Sequence, residues 1–272
     1  MVSDASGFKA AIYSLHNSES VEAEFTFSEQ EKRMSSGARE LLAVQKMVAH
    51  WVVTRQMHQR NIYWITDSAN VVSFLEKGSS RPHIQRIIFD VATKLSLLKS
   101  VIQPVHVFRE DERITKADEA SKAPDSDDWS LDKSTFEDLA RRFRLITDVF
   151  ASNTNARLGR FYSKFYCEGC LGVDAFAHRW GQGLWMCPPV SLLARTADEI
   201  RRRSCSGILV FPDWPTSYYY GKFFDGLGTR HPFKLVEKIR PYVYQNQGAR
   251  GPLNGHTACH WIVLQFDTTT KI

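Results

Sequence analysis

Four acidic side chains stand in settings where they could do chemistry. Asp4 closes the short β-prone run Val2-Ser3-Asp4, and the small residues Ala5-Ser6-Gly7 after it would let a ligand approach. Glu40 lies in Ser35-Ser36-Gly37-Ala38-Arg39-Glu40, Asp67 in Tyr63-Trp64-Ile65-Thr66-Asp67-Ser68, and Asp118 in Lys116-Ala117-Asp118-Glu119-Ala120-Ser121. One acid at a strand end is ordinarily a turn or capping residue. Four converging from separate elements are what a pair of hard cations requires, because Mg²⁺ takes oxygen ligands. Two such ions ~4 Å apart activate a water and stabilise the leaving oxygen of an in-line phosphodiester attack. The pattern points to a metal-dependent nuclease site that begins at Asp4.

To gather those acids, the first half must build its elements in a definite order. Gly7–Leu15 and Val21–Phe27 read as strands about a turn at Asn17–Ser20, with Val21, Ala23, Phe25 and Phe27 on one face. Ser35 and Ser36 can cap a helix. Its apolar positions, from Ala38 and Leu41 to Val52, keep the helical period and place Glu40 in the first turn. Asn61–Thr66 is a short strand with Asp67 at its carboxyl end, and Ile84–Leu98 has clean helical spacing. Ile102–Phe108 follows as a strand and Ile114–Lys122 as a short helix carrying Asp118. The predicted order is β-β-β-α-β-α-β-α, an α/β sheet with acids at strand ends and helix starts.

Composition narrows the class. A chain of 272 residues, 43% apolar and 12% aromatic, can fill two ordinary cores, which excludes wholesale disorder. Its net charge of +5 favours approach to a polyanion. Five cysteines, odd in number and irregularly spaced, do not form a disulfide framework and suit a reducing, intracellular compartment. No run reaches the ~18–20 apolar residues of a membrane helix. Lys9, Arg39, Lys46, Arg55 and Arg60 could contact phosphates, although a solvated face explains them equally well. Trp64 reads as core, and His106, within a strand, as a packed histidine.

The four motifs together resemble the ribonuclease H domain of retroelement polyproteins, over residues 1–122. The pieces that carry the resemblance are Ser3-Asp4-Ala5-Ser6, Arg39-Glu40-Leu41-Leu42-Ala43, Thr66-Asp67-Ser68 and Ala117-Asp118-Glu119-Ala120-Ser121. The resemblance implies a five-stranded mixed sheet with flanking helices. It also implies two Mg²⁺ ions, with Mn²⁺ an acceptable substitute. Asp4 would bridge the ions, while Glu40, Asp67 and Asp118 each complete one coordination sphere. The implied substrate is the RNA strand of an RNA–DNA hybrid, told from DNA by its 2′-hydroxyl. In that family the strand carrying the first acid begins several residues earlier. The chain is therefore expected to be N-terminally truncated, with a reverse transcriptase domain upstream in a longer polyprotein.

Residues 123–134 are polar and acidic and carry a proline at their second position, Pro124, which makes them the expected linker. Beyond it, Thr135–Phe143 has helical spacing, Leu145–Phe150 reads as a strand, Leu192–Arg203 as a helix and Gly207–Phe211 as an apolar strand. Residues 135–225 resemble the Dam-like adenine methyltransferases that follow ribonuclease H in DIRS-like tyrosine-recombinase retrotransposons. The matching pieces are Asp148-Val149-Phe150-Ala151-Ser152, Pro188-Pro189 and Val210-Phe211-Pro212-Asp213-Trp214. Those enzymes hold the target base with an Asn/Asp-Pro-Pro-aromatic loop. Here Cys187 and Val190 take the first and last places, so methyl transfer is not expected. Cys167, Cys170, His178 and Cys187 offer a weak zinc alternative, and residues 226–272 form an unassigned tail. The alternative to an active hybrid endoribonuclease is a catalytically silent nucleic-acid-binding relic, or a structural module of the polyprotein.

Overall fold

A computed structural model of the chain describes residues 1–15, 21–122, 129–152, 154–245, 255–256 and 259–269. The chain divides into two compact units, Met1–Ala123 with Phe165–Glu168, and Pro124–Lys164 with Gly169–Ile272. The first unit runs β1 (Val2–Ala5), β2 (Lys9–Tyr13), β3 (Val21–Thr26), α1 (Glu29–Lys32), α2 (Ser36–Thr54), β4 (Asn61–Thr66), α3 (Ala69–Lys77), α4 (Pro82–Leu98), β5 (Val101–His106) and α5 (Glu112–Lys122). The turn expected at Asn17–Ser20 lies outside the described residues.

Its five strands form one mixed sheet in the order β3-β2-β1-β4-β5. The β1–β2 and β2–β3 pairs are antiparallel, and β1–β4 and β4–β5 are parallel, as the helical crossovers after β3 and β4 require. One face packs Ile62 and Trp64 of β4 against Leu41, Val44 and Val48 of α2 and Ile84 and Val91 of α4. On the other face Ile114 and Ala117 of α5 meet Val2 and Ile65. Trp64 is fully buried, and its Nε1 donates to Ser3 Oγ at 2.9 Å, tying β4 to β1 beside Asp4. β5 is an edge strand, which is why it tolerates Pro104. At its end His106 is exposed and stands edge-on to Phe108, not packed as its strand setting suggested. The structure adds α1 and α3, which the apolar pattern did not announce. Only Val71 of α3 is buried, and none of α1.

The second unit contains β6 (Trp129–Leu131), α6 (Lys133–Phe143), β7 (Thr147–Ala151), β8 (Phe161–Ser163), β9 (Gly172–Val173), β10 (Leu184–Met186), α7 (Leu193–Arg202) and β11 (Ser206–Pro212). It continues with β12 (Phe224–Asp225), β13 (Gly228–Thr229), β14 (Phe233–Ile239), β15 (Tyr242–Gln245), β16 (Gly255–His256) and β17 (Trp261–Asp267). Seven strands pair in the order β14-β17-β11-β10-β7-β8-β9. The run from β11 to β9 is parallel, while β17 is antiparallel to both its neighbours. From β7 the chain winds outward through β8 and β9, then returns to β10 and winds the other way. The strand order therefore reverses between β7 and β10.

Two boundaries differ from expectation. The expected linker already contains β6, whose Trp129 and Leu131 are buried, and Asp132, which caps α6 through Thr135 N–H at 2.9 Å. The expected tail supplies β14 and β17, and Trp261, Ile262, Val263 and Leu264 are fully buried. A three-residue strand such as β6 is too short for its alternation to register. The apolar block of β17 reads as core only once β11 stands beside it.

Candidate active site

Asp4 is the third residue of β1 and pairs with Ala11 of β2. Its Oδ2 accepts a hydrogen bond from Ser121 Oγ at 2.6 Å. Ser121 is fully buried on α5, one helical turn beyond Asp118, so a single helix carries a second acid and a hydroxyl that holds the first. Burial raises the Asp4 carboxyl above its ordinary 3.8. The Ser121 bond opposes that rise, and the charges of Asp118 and Asp67 add to it.

Glu40 sits in the opening turns of α2 and is half-buried. Its Oε1 accepts from Ser36 Oγ at 3.0 Å, whereas Oε2 is buried with no hydrogen-bond partner among the described residues. Burial raises this carboxyl above 4.5, the Ser68 and Ser36 hydroxyls oppose it, and Asp67 and Asp4 push it further up. α2 can lie this close to the start of α3 because residue 37 is glycine. A Cβ there would stand 3.1 Å from Asn70 Cβ.

Asp67 follows β4 directly and is half-buried, with no hydrogen bond or ion pair among the described residues. Ser68, next to it, caps α3 by accepting from Val71 N–H at 3.4 Å. Asp118 is half-buried on α5, paired with Lys122 at 2.6 Å and Arg109 at 3.6 Å.

Asp4 thus feels Asp67 and Asp118, and Glu40 feels Asp67 and Asp4. β1, α2, the end of β4 and α5 bring the four acids into one electrostatic neighbourhood, in which each disfavours the ionisation of another. Carboxylate oxygens are hard donors, and the unpartnered Glu40 Oε2 fits a hard cation. Their side chains do not close around a common point. Among the described residues no group of three or more His, Cys, Asp or Glu is gathered to hold a metal ion. Ser121, Ser36 and Lys122 draw three of the acids toward protein partners.

Ser121, Ser68 and Gly37 were not foreseen as site residues. The i, i+3 spacing of Asp118 and Ser121 was the signal for the first of them. Three of the basic residues considered for phosphate contact are engaged elsewhere. Lys9 is buried and pairs with Glu24 at 3.0 Å, and Lys46 pairs with Glu31 at 2.7 Å. Arg39 donates to the carbonyls of Ser6, Lys32 and Met34, fastening the β1–β2 turn to the entry of α2. Arg55 and Arg60 are exposed.

In the second unit Cys187 is buried after β10, and burial pushes its thiol well above its ordinary range. Val190 opens a short 3-10 turn, and Tyr218 Oη donates to the Val190 and Ser191 carbonyls at 3.2 and 3.0 Å. His178 stacks on Tyr162, with Nε2 3.0 Å from the Val173 carbonyl, which engages it in packing and not in a zinc site.

No family model matches the chain, and no curated protein does. A solved structure of the N-terminal RNase H domain of a Mycobacterium tuberculosis protein, fused to maltose-binding protein, aligns at TM-score 0.33 and 16% identity. The alignment covers 43% of this chain and 88% of that one. The functional reading stands on the carboxylate arrangement. No helix among the described residues is long and apolar enough to cross a membrane.

Proposed function

We propose that the first unit is a ribonuclease H of retroelement origin that hydrolyses the RNA strand of RNA–DNA hybrids with two Mg²⁺ ions. The observation that carries the reading is Glu40 Oε2, a buried carboxylate oxygen with no hydrogen-bond partner among the described residues, on a carboxyl that feels the charges of Asp67 and Asp4 from separate elements. Asp4, Glu40, Asp67 and Asp118 would together hold the ions. Bound ions supply an activated water and stabilise charge on the leaving oxygen. The protein's own part is to present ionised carboxylates. Asp4 would give up its Ser121 bond and Asp118 its Lys122 pair, and a nearby cation would reverse the mutual repulsion that raises Asp4 and Glu40. An upstream reverse transcriptase would make the hybrid, and the 2′-hydroxyl would mark the strand to cut.

For the second unit we carry a Dam-like methyltransferase fold without methyl transfer, since Cys187 and Val190 replace the groups that would hold the base. The competing reading is a catalytically silent nucleic-acid-binding relic or a structural module. The protein contacts that already occupy Asp4 and Asp118 favour it. A labelled RNA–DNA duplex incubated with the full chain and Mg²⁺, alongside calorimetry of Mg²⁺ binding, separates the two. Mg²⁺-dependent cleavage that disappears in Glu40→Gln and Asp67→Asn is expected. Cleavage that survives both would sink the site assignment, and salt-sensitive binding with neither cleavage nor Mg²⁺ uptake would establish the relic.

A further inference from the structure

The net charge of +5 is not shared between the two units. In the first, 16 basic residues meet 16 acidic ones, whereas the second holds 19 against 14 and so carries the whole excess. Long-range attraction to a polyanion therefore comes from the second unit.

Much of the excess gathers on α7, which closes on Arg201-Arg202-Arg203, and its two acids are outnumbered. Asp198 is shared by Lys222 at 2.8 Å and Arg201 at 3.7 Å, and Glu199 by Arg203 at 2.7 Å and Arg202 at 3.3 Å. Two of these arginines serve the fold. Arg201 donates to the carbonyls of Ala197, Lys222 and His231. Arg203 donates to those of Phe176 and His178, and its guanidinium lies 4.3 Å over the Trp180 ring.

Three neighbours are not used up in this way. Arg202 is 73% exposed, and its Glu199 partner is already held by Arg203, so that pair contributes little. Arg195 is exposed and stands seven residues before Arg202, hence on the same side of α7 and about 10 Å away along its axis. Its guanidinium rests 3.8 Å over the Phe176 ring and makes no hydrogen bond among the described residues, so the ring positions it while its N–H fork stays unused. Arg179 is exposed, with no hydrogen bond or ion pair among the described residues, and follows His178, whose carbonyl Arg203 binds. Phe176 under Arg195 and Trp180 under Arg203 seat this segment, and Arg179 with it, against that flank of α7. Guanidinium forks match phosphate oxygens bidentately. A lipid surface would instead call for apolar side chains beside the cations, and no large apolar side chain of α7 is exposed.

We propose that Arg179, Arg195 and Arg202 form a docking face for the phosphate backbone of a nucleic acid. The face touches phosphates and no base edges, so it holds a duplex irrespective of sequence. It needs no metal and does not depend on the reading of the four acids in the first unit.

The test is fluorescence anisotropy of the full chain with labelled DNA duplexes of two unrelated sequences, in EDTA and over a range of salt. EDTA silences any Mg²⁺-dependent cleavage, so failure here and failure of the nuclease reading are told apart. Binding is expected to be alike for both sequences and to weaken steeply with salt. Arg179→Gln and Arg202→Gln should each lower the slope of log affinity against log salt by about 1, and together with Arg195→Gln by about 3. The first two remove exposed groups that hold little, so they remain informative should Arg195→Gln unfold through loss of its Phe176 contact. Arg141→Gln removes the same charge from α6, whose Phe136 and Leu139 pack in a different core from Leu193, Ala197 and Ile200 of α7, and should leave the slope unchanged. An unchanged slope in the Arg179 and Arg202 variants, a fall as large in Arg141→Gln, or binding to phosphatidylserine vesicles and not to the duplexes would overturn the proposal.

Discussion

Among the described residues each unit buries one carboxylate oxygen without a hydrogen-bond partner, and the charges around the two are opposite in sign. Glu40 Oε2 of the first unit lies near Asp67 and Asp4, whose negative charges push its carboxyl further up. Asp148 Oδ1 of the second lies near Arg157, whose charge pulls its carboxyl down. Burial is the largest influence on both. A buried acid whose counter-charge is built into the protein has nothing to gain from a cation. A buried acid among further acids has an unmet need for positive charge. On this comparison the buried acid of the first unit, on α2, calls for a cation, whereas that of the second, the second residue of β7, does not.

The contrast breaks most sharply at Asp67, the acid with neither hydrogen bond nor ion pair among the described residues. Asp67→Asn should abolish Mg²⁺-dependent cleavage, a loss larger than the ~10–100-fold cost of disturbing groups that merely orient a metal ligand. The fold should be unharmed, because no hydrogen bond or ion pair is lost. A cleavage assay paired with thermal unfolding reads both outcomes, and a large drop in melting temperature would make Asp67 structural.

A second test concerns whether each unit owns its core. Phe165 lies deep in the second half of the sequence, yet Phe165–Glu168 belongs to the first unit. Its ring meets Phe25 at 5.8 Å and His50 at 6.1 Å, and Tyr166 N–H donates to His50 Nδ1 at 3.4 Å. Phe165→Ala should cost about 2 kcal/mol, below the ~3–5 kcal/mol of a fully buried phenylalanine because Phe165 is half-buried. Denaturation followed by probes in each unit should show the loss in the first unit. If it falls only in the second, the segment is assigned to the wrong core.

That segment also marks where the sequence could and could not be read. β4 appears at Asn61–Thr66 as its short apolar run predicted, and α4 differs from the predicted Ile84–Leu98 only by an earlier start at Pro82. Such elements announce themselves because a local apolar run or helical period is enough to mark what is buried. The settings of Asp67 and Glu40 were legible for a related reason, since one follows β4 and the other lies near the start of α2, whereas Asp118 falls within α5. Ser121, Gly37 and Phe165 were not, because their roles depend on partners 117, 33 and 140 residues away (Asp4, Asn70 and Phe25). No local period carries that information. The same holds for β17, which looks like a stray apolar block until β11 and β14 flank it.

The comparison also predicts two pH limbs of opposite sign within the first unit. Asp4 and Glu40 have folded-state values above their ordinary 3.8 and 4.5, so the native state holds protons that the unfolded chain has released. Their contribution to stability is present below those values and is lost as pH rises through the folded ones. Glu40→Gln removes the charge, and should therefore raise the melting temperature at pH 7 by a few degrees while leaving it unchanged at pH 4. His50 acts the other way. Burial lowers it below 6.5, so its neutral form favours the fold above that pH, and the contribution is lost as pH falls below 6.5 and through the lower folded value. His50→Asn should flatten the acid limb below pH 6.5, the smallest of these effects, at some cost in stability from the lost ring contacts with Phe25 and Phe165. Melting curves from pH 4 to 8 read both limbs, and an acid limb as steep in His50→Asn as in the parent would remove His50 from the account.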